Sequence, residues 1–198
     1  MTPDQNIPDK GYGPECADPV LRAWAKFYGV DYFPLYTEVK RDPGSRFHEL
    51  SKDDESAESK FLDTLVYATR IRRVVAPVLM KASQAGSDAG SHVRVKGLGL
   101  GVWQVDPVQE ALMLDVYAEI LDAVHLPGIA VLEFAWFPTA TALRGVRHGE
   151  RFPARSGHEV EIRFSTCCLA DPVEAGRRLV AMYAWDANAY AGNAWWAA

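Results

Sequence analysis

Apolar positions along this chain follow two different spacings, and the change from one to the other marks out its organisation. The first part is helical in period. Asp18-Pro19 supplies an N-cap and a first-turn proline, Leu21, Trp24 and Tyr28 fall on one face beside Ala25, and Gly29 stops the run. Residues 42–57 hold Pro, Gly, Ser and the acidic run Asp53-Asp54-Glu55, which predicts a loop followed by a solvated helix start. From Glu58 to Val75 the residues Phe61, Leu65, Ala68 and Ile71 keep helical spacing, and Pro77 is expected to end or kink that helix. Residues 84–91, with Gly86 and Gly90, read as a connector.

The second half alternates between strand and helix signals. His92 to Lys96 suits a strand, and Gly97-Leu98-Gly99-Leu100-Gly101-Val102-Trp103 follows as a glycine-rich turn. Asp106-Pro107 then starts a helix, with Gln109 in capping-box position and Leu114, Tyr117, Leu121 and Val124 as its buried stripe. Pro127-Gly128 ends it. Ile129 to Trp136 is almost continuously apolar, as in a strand covered on both faces. A long basic loop is expected over 138–157, a strand over Glu159–Ser165, a short helix over Pro172–Arg178 and a buried strand over Leu179–Ala184. This order predicts a layered α/β architecture around a largely parallel sheet. Residues 1–17 read as a flexible tail before a single domain over 18–198.

Composition narrows the class. The chain has 198 residues, of which 48% are apolar and 24% charged, enough for one sizeable core. A net charge of −5 argues against a non-specific nucleic-acid partner, although a phosphate can still be held by backbone amides. No apolar run is long enough to cross a membrane, and Met1 to Gly13 lacks the basic and apolar regions of a signal peptide. The three cysteines, Cys16, Cys167 and Cys168, are expected to be reduced thiols in a cytoplasmic protein. With five scattered histidines and no metal-binding spacing, neither a metal nor a cofactor is expected.

Two segments offer chemistry. Gly97, Gly99 and Gly101 allow backbone N–H groups to approach a phosphate, although the same glycines also serve a plain tight turn. A dinucleotide-binding fingerprint fits poorly, because Val102 stands where its third glycine would be and Glu133 lies inside an apolar run. The second segment runs from Tyr183 to Trp196. Its apolar start leads into Asp186, with Asn188, Gly192 and Asn193 close behind, at the carboxyl end of a predicted strand where open sheets place ligands. Asp186 there suits a ribose hydroxyl or a water molecule, or simply an Asx-turn. Trp103, Trp136, Phe137, Trp185, Trp195 and Trp196 cluster around these loops as core, rim or base-stacking groups. His125 and His158 read as structural, and Arg144, Arg147, Arg151 and Arg155 as a solvated loop.

Val95 to Gln104, Phe134-Ala135-Trp136-Phe137 and Leu179 to Trp195 together resemble a divergent macrodomain family, the MavL-like group, over roughly Phe61 to the C-terminus. That group includes a bacterial effector that removes ADP-ribose from arginine. The resemblance implies a three-layer α/β/α macrodomain-like fold with a mixed, largely parallel sheet, and ADP-ribose, or an ADP-ribosylated protein, in a cleft at the strand ends. It implies a catalytic role for Asp186 and ligand contacts from Gly97, Gly99, Leu100, Gly101, Val102, Trp103, Trp136, Asn188, Gly192 and Asn193. The family pattern has a second acidic residue where this chain has Ala194, a proline where it has Ala191, and a further aspartate beyond Ala198. The domain is therefore expected to be truncated at its C-terminus, with weakened catalysis. A hydrolase of ADP-ribosyl-arginine, a non-catalytic ADP-ribose reader and an unrelated nucleotide-dependent α/β enzyme stand as the three functional expectations.

Overall fold

The computed structural model describes residues 1, 12–51, 57–86, 88–137, 141–155 and 157–182, in two compact units, Met1–Arg70 and Ile71–Ala198. In the first unit, α1 (Pro19–Tyr28) starts and ends where the sequence placed it. The Asp18 carboxylate accepts hydrogen bonds from the amides of Val20 and Leu21, and Gly29 closes the helix in the left-handed conformation. Trp24 is 47% exposed, so on the expected face Ala25 is the buried member. A short α2 (Tyr36–Arg41) and an antiparallel pair, β1 (Phe47–Glu49) and β2 (Phe61–Asp63), were not anticipated. Tyr36, Val39 and Phe61 form a small core beneath them.

The helix expected from Glu58 therefore begins later, as α3 (Thr64–Ala85). Asp63 decides the boundary. Its Oδ1 accepts from the Val66 amide while Arg46 grips both carboxylate oxygens, so this one side chain caps the helix and ties it to the turn before β1. Of the two outcomes expected at Pro77, an end or a kink, the helix does not end there: α3 runs through it despite the missing N–H. Ile71, Val75, Leu79 and Ala82 are buried on both sides of it, and that continuous apolar stripe outweighs one lost hydrogen bond.

Among the described residues the second unit has five strands: β3 (Ser91–Lys96), β4 (Ile129–Ala135), β5 (Arg151–Pro153), β6 (Glu159–Ser165) and β7 (Arg178–Ala181), in the order β5-β6-β4-β3-β7. β6, β4, β3 and β7 are mutually parallel, and β5 is an antiparallel edge. The sheet is thus mixed and largely parallel, and the α/β architecture is consistent with a three-layer α/β/α fold. β5 lies within the stretch expected to be loop, and the helix expected over Pro172–Arg178 is absent, replaced by turns leading into β7.

α4 (Val108–Ala123) connects β3 to β4. The anticipated start is there: Asp106 accepts from the Val108 amide, while Gln109 accepts from the amides of Val105 and Asp106. Tyr117 of α4 meets Phe134 edge to face with centroids 5.1 Å apart, and Phe134 stacks on Phe164 at 5.2 Å. Strand alternation puts Val93, Val95, Leu132, Phe134, Ile162 and Phe164 on this face. Gly128 precedes β4, where a Cβ would lie 2.0 Å from the Ser83 carbonyl oxygen, so only glycine permits this approach to α3.

The step from β6 back across the sheet to β7 runs the other way, and right-handed crossovers then require the opposite face. Residues 166–177 make that crossing. Arg94, on the face away from Phe134, donates to the carbonyls of Cys168, Leu169, Asp171 and Pro172. A crossing without helical hydrogen bonds has orphan carbonyls, and one guanidinium with its five donors supplies the missing partners.

Candidate functional site

The glycine loop leaves the carboxyl end of β3 and the turn at Trp136 leaves that of its parallel neighbour β4, the end of an open α/β sheet at which ligands bind. A cleft of about 340 Å³ lies at the ends of β3 and β4. Lys96, Gly97, Leu100 and Gly101 line it from the β3 side, and Ala135, Trp136 and Phe137 from the β4 side. Glu110, in the first turn of α4, lines it as well. The volume is within the range of small-molecule sites.

Of the residues expected to meet a ligand, Gly97, Leu100, Gly101 and Trp136 are brought together in this cleft. Gly99, Val102 and Trp103 belong to the same loop but do not line it. Gly99 sits at φ +72° at the turn's apex, a conformation that favours glycine, and Val102 and Trp103 are 94% and 77% exposed on its outer side. Asp186, Asn188, Gly192 and Asn193 lie outside the described residues. Phe137, one of the aromatics expected around these loops, lines the cleft too, and Lys96, Glu110 and Ala135 complete it without having been expected to meet a ligand. Glu110 was hidden because a first-turn carboxylate on a helix has an ordinary role at the macrodipole.

Trp136 is the strained member. Its φ is +68°, unusual for a bulky side chain, and it is 65% exposed. Its amide donates to the Ser165 carbonyl at 2.5 Å, and the neighbouring Phe137 is buried 5.5 Å from the Phe134 ring. The buried ring at 137 and the hydrogen bond at 136 hold the chain in a turn that presents the indole at the cleft.

Beneath the cleft lies a charged cluster on the face opposite α4. Glu133, 5% exposed, accepts from Arg94 Nε at 2.6 Å and Ser165 Oγ at 2.8 Å, and contacts His92 Nε2 at 2.7 Å. His92 Nδ1 reaches Glu174 at 3.1 Å, and Arg163 bridges Glu161 and Glu174. Burial opposes the charge on Glu133, but the hydrogen bonds from His92, Arg94 and Ser165 and the charge of Arg94 outweigh it, holding the carboxyl well below the usual range. Glu174 is pulled down to about 2 despite some desolvation, by a backbone hydrogen bond, Arg163 and His92. The Cys167 thiol is pushed up, chiefly by burial, which does not suit a nucleophile. Two arginines of the stretch expected to be a solvated loop are tethers: Arg144 binds Asp122 at 2.8 Å, and Arg155 donates to the Ala123 carbonyl. Among the described residues no helix is long and apolar enough to cross a membrane.

The chain has recognisable relatives. It matches the family described as ADP-ribosylhydrolase MavL-like over residues 1–198, and the chain belongs to that family. It is 28% identical over 213 residues to an ADP-ribosylarginine hydrolase of Drosophila melanogaster, covering 100% of this chain and 40% of that protein. A second ADP-ribosylarginine hydrolase of the same species is 26% identical over 209 residues, covering 97% and 40%. The chain thus spans about 40% of the length of the curated relatives it matches.

Proposed function

We propose that this chain binds ADP-ribose in the cleft at the ends of β3 and β4 and contributes to hydrolysis of the bond between ADP-ribose and arginine. The observation that carries the reading is the convergence of Gly97, Leu100 and Gly101 with Trp136 on one cleft, in a member of a hydrolase family. In this reading the 97–101 loop faces the diphosphate with its backbone amides, Trp136 offers an aromatic face to a base or ribose, and Asp186 is the carboxylate that orients the ribose or the attacking water. Water adds to the anomeric carbon, the carbon–nitrogen bond breaks, and the guanidine nitrogen leaves with a proton. The transition state carries positive charge on the ribose, which a carboxylate stabilises, and general-base help is worth about 10²–10⁴-fold.

Ala194 favours a second reading, in which the chain recognises ADP-ribose without releasing it. Incubation with an arginine-ADP-ribosylated peptide separates the two. Release of free ADP-ribose, abolished by Asp186→Asn, supports the hydrolase. Tight binding without release supports the reader, and absence of ADP-ribose binding at millimolar concentration overturns both.

A further inference from the structure

Alternation along β3 puts His92, Arg94 and Lys96 on one side of the strand. The first two are committed to the buried cluster through Glu133. Lys96 stands one residue before the glycine loop, half-buried, and lines the cleft. It is the cation among the described lining residues, and Glu110 is the carboxylate. The cleft therefore has a charge polarity that the glycine amides alone do not give it.

We infer that Lys96 is a specificity-determining residue that pairs with the diphosphate and fixes the direction in which the nucleotide lies, with the phosphates at the Lys96 end and away from Glu110. The inference rests on the ADP-ribose reading and goes beyond it by assigning the charge selectivity of the site. A diphosphate brings two negative charges to a chain whose own net charge is −5. Backbone amides offer only partial charges, so a full positive charge at the loop's root is what makes that approach favourable. Lysine suits the task, being a compact point charge on a flexible stem that reaches phosphate oxygens without demanding one geometry. Glu110 repels phosphate and accepts from hydroxyl groups, so the uncharged ribose is the part of the ligand it tolerates.

Calorimetric titration of the wild-type chain, Lys96→Ala, Lys96→Arg and Glu110→Gln with ADP-ribose and with ADP tests this, with thermal unfolding midpoints as the check on folding. Lys96→Ala is expected to lose about tenfold or more in affinity for both ligands at an unchanged midpoint, the size of a charge-assisted contact. Lys96→Arg keeps most of the affinity. Glu110→Gln removes a repulsion and tightens ADP by about threefold. Wild-type affinity in Lys96→Ala overturns the assignment of Lys96 and leaves the ADP-ribose reading intact. Weaker ADP binding in Glu110→Gln overturns the proposed direction. No binding by the wild type overturns the reading and the inference together.

Discussion

The two faces of the parallel sheet solve the same burial problem by opposite means. On the α4 face, Phe134, Phe164, Tyr117 and Leu132 exclude water by packing, with no polar partner required for Phe134 or Leu132. On the other face, one residue away along the same strand, Glu133 is buried at 5% exposure and depends on three named neighbours. The first face tolerates imperfect fit at a graded cost. The second is all-or-none, because a buried charge that loses its partner keeps its desolvation penalty. The difference places rigid polar order directly below the cleft: Ser165 contacts Glu133 with its hydroxyl and holds the Trp136 amide with its carbonyl.

Substitutions on the two faces sharpen this contrast. Phe134→Ala opens a cavity among three rings, one of them Phe137 of the cleft wall, and is expected to cost about 4 kcal/mol in denaturant unfolding and to weaken the cleft's ligand affinity as well. Glu133→Gln, nearly isosteric, leaves Arg94 buried without its counter-charge and is expected to cost about 3 kcal/mol. A loss well under 1 kcal/mol there would show that the cluster is dispensable to the fold. Ser165→Ala removes the hydrogen bond to the charged Glu133 together with the weaker one that the hydroxyl accepts from the Cys167 amide, and should cost about 1.5 kcal/mol.

Acid separates the faces further. The folded-state pKa of Glu133 lies below its unfolded value, so its stabilisation is fully present above the ordinary carboxylate range. It is lost as pH falls from about 4 toward the depressed folded value. Glu174, at about 2, adds in the same direction. Stability measured against pH should therefore decline below about 4 in the wild type and, displaced but with the same slope, in Phe134→Ala. In Glu133→Gln that decline should flatten, and an unchanged slope would remove Glu133 from the account.

Much of this architecture was legible in the chain, and the reasons it was or was not are physical. β3, α4, β4 and β6 announce themselves because their apolar period matches what they pack against, and Asp18 and Asp106 mark helix starts through local hydrogen bonds. β1, β2 and β5 have three residues each, too few to establish a period, and exist through pairing with the strand beside them. The 166–177 crossing resembles a helix locally, but its carbonyls are satisfied by Arg94, some seventy residues earlier, which no local pattern reveals. Glu133 looked out of place in an apolar run because strand register alone brings Arg94 opposite it. In the cleft, the glycines and Trp136 were recognisable by residue type. Lys96 and Glu110 were not, since their relevance comes from the placement of α4 against the end of β3.

Amide hydrogen exchange with and without ADP-ribose tests the central claim most directly, because it locates the ligand as well as detecting it. Saturating ADP-ribose is expected to slow exchange at residues 96–101 and 135–137, while the amides of β5 at the far edge of the sheet keep their rates. Protection confined to any other part of the chain, or no change at saturating ligand, would contradict a nucleotide site at the ends of β3 and β4.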